Sequence, residues 1–332
     1  MAKVRPNAVV SGEVTRLGYN GGMDAAKVPA RRLWSLLEPI HAVTYFSPEP
    51  LAALKEAGYR GFWMGYFAGR AAPLGRASAE LVHAVCYNFA FEHVARAIPS
   101  AWDFAAPDRA LSARLSGSVA ALQRLLAGVV GSMIATAADL AARAAATAPL
   151  EGRPLFAANR SLPEPERPLE RLWHAATLLR EHRGDGHVAA LVAAGIGGRQ
   201  AHVLHALATG TPVEVYARAR TFEPAEWTSI VAELRERGLV DGDGTLTAAG
   251  RQAKDEVEEL TDELAESACR ALSPTEVDDL IRALLPITTA VVSGLEIPTQ
   301  SPMGLNLNEA VSAGNNSVGT NTVGNDTAGN SM

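Results

Sequence analysis

Residues 178 to 207, LLREHRGDGHVAALVAAGIGGRQAHVLHAL, decide how the rest of the chain is read. Val188, Leu191 and Val192 recur at helical spacing, and Asp185 stands before them where an N-cap residue belongs. Gly195 ends that run. After the turn Gly195-Ile196-Gly197-Gly198, a second periodic stretch begins near Arg199 and turns Val203, Leu204 and Leu207 inward. Helix, glycine turn and helix is the pattern of a helix-turn-helix unit. Downstream, Pro224 and Glu226 open a further helix through Trp227, Ile230 and Leu234. Leu239 and Val240 then read as a short strand, Asp241 to Gly244 as a hairpin turn, Leu246 as the return strand, and Thr247 to about Leu272 as a long charged helix.

Composition limits the alternatives. The chain has 332 residues, 48% of them hydrophobic and 6% aromatic, a balance that favours packed helices in about two domains. A formal charge of −6 argues against a generally basic nucleic-acid coat, leaving room only for a local patch. Cys86 and Cys269 stand alone in helical patterns and read as small buried hydrophobes in a reducing compartment. No signal-peptide core follows Lys3 and Arg5, and Leu125 to Ala138 is too short to span a bilayer. The expected setting is cytoplasmic, without membrane contact.

Residues 1–27 lack periodicity and read as a flexible leader, and 299–332 is a Gly/Asn/Ser/Thr tract that reads as a disordered tail. Neither end is expected to carry the chemistry. Between them an internal repeat is visible at a shift of roughly 140 residues. Arg32-Leu33-Trp34 corresponds to Arg171-Leu172-Trp173, AALKEAGY (Ala52 to Tyr59) to AALVAAGI (Ala189 to Ile196), and SAELV (Ser78 to Val82) to PAEWT (Pro224 to Thr228). The expected fold is mainly α with a short β wing. Two tandem winged-helix-like halves, 28–150 (degenerate) and 151–298, would form an intrachain pseudo-dimer, monomeric in solution.

The order Arg-Gly-Leu-Val, acidic-Gly turn, Leu-Thr-x-x-Gly and long helix resembles the wing and dimerisation helix of MarR-type regulators. Over about residues 28–298 the segments EPIHAVTYFSPE, GFWMGYFAGRAAPLG, VCYNFAFEHVARAIPSAW, GRPLFAANRSLPEP and LVDGDGTLTAAGR resemble the actinobacterial SalK-like helix-turn-helix family of antibiotic gene clusters. The resemblance implies a winged-helix scaffold in a secondary-metabolic setting and brings no catalytic residues with it.

Candidate sites follow from residue chemistry. Phe62, Trp63, Tyr66 and Phe67 share a helical stretch with Arg70 and read either as core or as the wall of an aromatic ligand site. Arg180 and Arg183 suit a carboxylate or phenolate, beside Glu181, His182, Asp185 and His187. His41 and Tyr45 occupy a related place in the first half, and a histidine near pH 7 can exchange a proton. A small organic ligand, aromatic or carboxylate-bearing, is therefore the expected partner, bound by His41, Tyr45, Trp63, Tyr66, Arg70, Arg180, His182, Arg183 and His187. For duplex DNA the candidate helix 198–210 offers only Arg199, Gln200 and His202, with His205 beside them, and Asp241 and Asp243 stand at the wing tip where arginine would serve better. Attenuated DNA contacts are expected. No metal-ligand spacing and no cofactor fingerprint is present, and Asp241-Gly-Asp243 lacks the glutamate that completes a calcium loop. No nucleophile elbow marks an enzyme, so a pathway enzyme using the same pocket remains the alternative to a regulator.

Overall fold

A computed structural model describes residues 30–298, 301–305 and 307. The first half contributes α1 (Ala30–Phe46), α2 (Pro48–Glu56), α3 (Gly61–Ala71), α4 (Ala79–Val85), α5 (Phe91–Ala95), α6 (Ala101–Phe104), α7 (Pro107–Leu125) and α8 (Gly131–Thr147). The second contributes α9 (Pro154–Arg160), α10 (Pro168–Ala193), α11 (Gly198–Thr209), α12 (Val213–Arg220), α13 (Pro224–Glu236), α14 (Ala248–Glu266) and α15 (Pro274–Ser293).

The axis of the fold is α10, 26 residues and about 39 Å long. Its first half lies in a core with α1, α7, α8 and α15, where Leu36, Ile40, Leu172, Trp173 and Leu284 are sealed from solvent. Its last turns enter a second core with α11, α12, α13 and α14, built on Leu191, Val203, Tyr216, Ile230 and Leu234. A third core, around Tyr59, Phe67, Phe89 and Trp102, belongs to α2 through α7. Helix ends are set locally: Ser273 and Glu276 cap α15 reciprocally, Ser78 accepts from Leu81 N, and Thr247 accepts from Gly250 N.

Two expectations are corrected here. Asp185 is not an N-cap, because α10 runs unbroken through Arg183-Gly184-Asp185-Gly186. Gly186 leaves room for neighbours: a Cβ there would lie 2.7 Å from the Arg153 guanidinium and 3.4 Å from Leu264. The Asp185 carboxylate turns instead to α9 and accepts from Phe156 N at 2.9 Å, capping that helix from outside.

The β wing is the second correction. Among the described residues no strand is present, and the expected hairpin reduces to one antiparallel bridge, Val240 to Leu246. Asp241 explains why, since its carboxylate accepts from Asp243 N, Thr245 N and the Thr245 hydroxyl. The loop is spent on that carboxylate, and α14 starts at Ala248 before a ladder can grow. The first half has no wing either. Its segment 96–106 is turns and the short α6, and the central core takes side chains from both sides of residue 150. Two tandem winged helices paired as a pseudo-dimer are therefore not what the chain builds, although its mainly α character is as expected.

The expected leader lies outside the described residues, as does most of the expected tail. Residues 301–305 and 307 are packed: Leu305 and Leu307 are buried in the central core beside Ile297 and Met303.

Candidate ligand pocket

Helices α1, α3, α10, α11, α12 and α14, with the α4–α5 link and residues 301–304, surround a pocket of about 660 Å³. That volume suits a drug-sized organic molecule. One wall is aromatic. Helical spacing puts Phe62, Trp63 and Tyr66 of α3 on the pocket side and Phe67 in the core below. Tyr45 meets Tyr66 at 4.8 Å between ring centroids, and Phe89 meets Tyr66 at 5.6 Å. Phe62 stands 42% exposed at the mouth.

The floor is charged. Glu181 is 2% exposed and bridges Arg70 at 3.2 Å and Arg180 at 2.7 Å. Arg180 reaches back to Glu38, which also accepts from Trp34 Nε1. Burial alone would raise the pKa of Glu181, but Arg180 and Arg70 outweigh it and hold the carboxyl at about 2. A second group lies toward α14. Arg183 pairs with Asp262 at 2.9 Å and with Glu258 at 3.6 Å, and lies 4.5 Å over the Trp34 ring. His187 Nδ1 is bonded to the Thr261 hydroxyl, and His205 and Lys254 face the same end. Among the described residues, seven lysine and arginine side chains line the pocket against two carboxylates, Glu38 and Glu258, while Glu181 and Asp262 pair with four of those arginines from behind the lining.

Of the residues singled out by sequence, Tyr45, Trp63, Tyr66, Arg70, Arg180, Arg183 and His187 line the pocket. His41 and His182 do not. His41 is buried behind the wall, bonded to Thr177 and Tyr45 and stacked on Trp173, and borders a small side cavity. His182 faces the other side of α10, against Phe156 and Ser267. The DNA candidates are engaged within the fold. Arg199 grips Glu226 through two bonds of 2.7 Å and lies 3.4 Å over Phe222, Gln200 is held by Glu233 and Arg237, and His202 is buried at 3% exposure and borders the pocket.

Sequence reading missed Arg220, Glu38, Trp34, Phe89 and Lys254, all of which line the pocket. It also missed Glu181 as the partner of Arg70. They come from elements far apart in the chain, and no local spacing announces them. The segment 301–304, within the tract expected to be a tail, also lines the pocket. Its apolar neighbours Leu305 and Leu307 hold it down.

After α11 and α12, α13 is the third helix of the unit, and its outer surface is acidic. Glu223, Glu233 and Glu236 are exposed along it, with Asp243 exposed in the following loop. Arg235 donates to the Asp241 and Gly242 carbonyls, and Arg237 to Gln200. Phosphates would meet mostly carboxylates there.

Among the described residues no helix is long and apolar enough to cross a membrane, and no cluster of His, Cys, Asp and Glu is placed to hold a metal ion. No curated protein and no solved structure shows significant similarity to the chain. A family model described as a helix-turn-helix family matches residues 30–298, the whole span from α1 to the end of α15. With that match over more than three quarters of its length, the chain belongs to this helix-turn-helix family.

Proposed function

We propose that the protein is a ligand-responsive helix-turn-helix regulator with attenuated DNA contacts, in the manner of MarR-like proteins, and that its effector is a small organic molecule with an aromatic body. One observation carries the reading. The last turn of α12 brings Arg218 and Arg220 to the pocket, and Arg220 stands four residues before α13 begins at Pro224. A molecule seated in the pocket therefore touches the segment that fixes α13, the third helix of the unit. Occupancy would bear on α13 through the end of α12 and the three residues that follow it, the kind of differential contact a ligand-controlled equilibrium requires.

Anisotropy of a labelled duplex of arbitrary sequence, titrated at low salt and again as salt is raised, tests the regulator half. Affinity that falls steeply with salt, and is weaker than about 10 μM at physiological ionic strength, is expected. No binding even at low salt would remove the regulator reading. The acidic face of α13 favours a second reading in that event, a pathway enzyme or accessory protein using the pocket alone, with His187, His205 and Lys254 at its polar end.

The ligand half makes its own prediction. Trp63 borders both the pocket and the core of α2 to α7, touching His93 at 4.4 Å and Phe89 at 5.9 Å. Trp63→Ala should lower the affinity for aromatic probes at least tenfold by calorimetry. Its stability cost should stay below the roughly 3–5 kcal/mol of a fully buried tryptophan. A larger drop in stability with affinity unchanged would make Trp63 purely a core residue.

A further inference from the structure

The charges at the floor of the pocket do not balance. Three guanidinium groups act on one another there, those of Arg70, Arg180 and Arg220. Two carboxylates answer them, Glu181 and Glu38, and both are committed to Arg70 and Arg180. Arg114 adds a further positive charge behind Glu181, where the Gly69 carbonyl and Asn159 satisfy it. Arg220 has no such partner. Among the described residues no carboxylate lies within ion-pair distance of it. Its Nη1 donates to the carbonyl of Ala219, its guanidinium lies 4.3 Å over the Phe89 ring, and its Nε is sealed from solvent with no acceptor.

A partly buried guanidinium with its Nε sealed and no carboxylate beside it is better satisfied when an anion meets it, because a charge taken out of water without a partner is unfavourable. The guanidinium rests over the Phe89 ring and lines the pocket. Phe62, Trp63 and Tyr66 supply the accessible aromatic wall of the same pocket.

We propose that the pocket takes an aromatic organic anion, a carboxylate or a phosphate monoester, whose charged group is held by Arg220 against the Arg70 and Arg180 pair while its rings lie on Trp63 and Tyr66. This rests on the ligand-binding reading above and adds to it the charge of the ligand and the residue that selects it. Paired bonds from a guanidinium fork suit both oxyanions. Binding would neutralise the unmatched charge and tie the end of α12 to α3.

Calorimetric titration of the full chain with three probes tests this: 2-naphthoate, its neutral isostere 2-naphthamide, and 2-naphthyl phosphate. Naphthoate is expected to bind at least tenfold more tightly than naphthamide. The phosphate arm decides between the two headgroups. In Arg220→Gln the naphthoate advantage should shrink to less than about threefold, with naphthamide affinity unchanged. Arg220→Lys should recover part of it, and Arg282→Gln, on the exposed face of α15 away from the pocket, should leave it intact. Equal binding of naphthoate and naphthamide by the unaltered protein would overturn the anion assignment and leave the pocket reading standing. Binding of neither overturns both. An advantage that survives Arg220→Gln would overturn the role given to Arg220. The isostere comparison needs no variant, so it decides even if Arg220→Gln fails to fold.

Discussion

Acidification from pH 7.5 to about 5 is expected to unfold the protein, with uptake of several protons in a single transition. Five histidines, His41, His93, His174, His182 and His202, are less than 9% exposed. Burial disfavours their charged form and lowers each of them, His93 and His174 to about 4 and His182 to about 3, with His41 and His202 well below the ordinary value. In the unfolded chain the same groups titrate near 6.5. The stability they contribute is therefore complete above pH 6.5 and is lost as pH falls, at about 1.4 kcal/mol per pH unit for each histidine. Asp185 runs the other way. Burial pushes its carboxyl up to about 7, so its ionised form costs stability as pH rises from about 4 to 7, and acidification recovers that loss. These five histidines against one carboxyl leave a net uptake of about four protons, or roughly 5–6 kcal/mol per pH unit near pH 5.5, and His187 and His205, also lowered by burial, add to it. A domain-sized stability of about 5–15 kcal/mol is consumed within about two units below pH 6.5. Urea unfolding at a series of pH values measures the slope directly. A free energy that stays flat between pH 7 and 5 would refute the account. In the same series, Asp185→Asn should be more stable than the parent at pH 8 and close to it at pH 4.5, where the parent carboxyl is already neutral.

That several of these groups sit together was only partly legible in the sequence. Helix ends were legible where a local rule fixes them. Gly195 has φ 62° and lets Ile196 N reach the Leu191 carbonyl, and Gly58, with φ 115°, does the same for Tyr59 and Leu54. The repeat AALKEAGY and AALVAAGI is thus one helix terminus used twice, each followed by a further helix. Pro48 likewise takes the first position of α2, where a missing N–H costs nothing. What local rules could not supply is packing. Gly184-Asp185-Gly186 reads as a cap and a turn, yet α9 and α14 press so closely on α10 there that small residues serve contact and the helix continues. Leu239-Val240 and Leu246 read as strands, and a single aspartate holding three donors consumes the loop. In the pocket, the arginines of α10 were visible as an excess of charge over one short stretch. Their counterparts were not, because Arg70 lies 111 residues from Glu181 and Arg180 lies 142 from Glu38. An ion pair across that distance leaves no spacing to read.

Glu181→Gln is expected to cost about 3–5 kcal/mol, among the largest effects of any single substitution in the pocket. The carboxylate is almost inaccessible and holds Arg70 through two contacts, at 3.3 and 3.2 Å, and Arg180 through a third. Glutamine keeps the shape and removes the charge, so packing changes little and electrostatics a great deal. Two guanidiniums would then stand beside Arg220 with only Glu38 to answer all three, and a charge left buried without its partner is the costly outcome of breaking such a pair. Chemical unfolding at pH 7.5 measures the loss; a cost below about 1 kcal/mol would mean that the network is solvated and contributes as a surface pair does. The same substitution separates stability from recognition. With one more uncompensated cation at the floor, the variant should hold 2-naphthoate at least as tightly as the parent while being less stable without it, so that saturating naphthoate restores more of the melting temperature in Glu181→Gln than in the parent. Loss of naphthoate binding in a variant that remains folded would show instead that Glu181 places Arg70 and Arg180 for the ligand, and that their alignment matters more to the anion than the net charge of the floor.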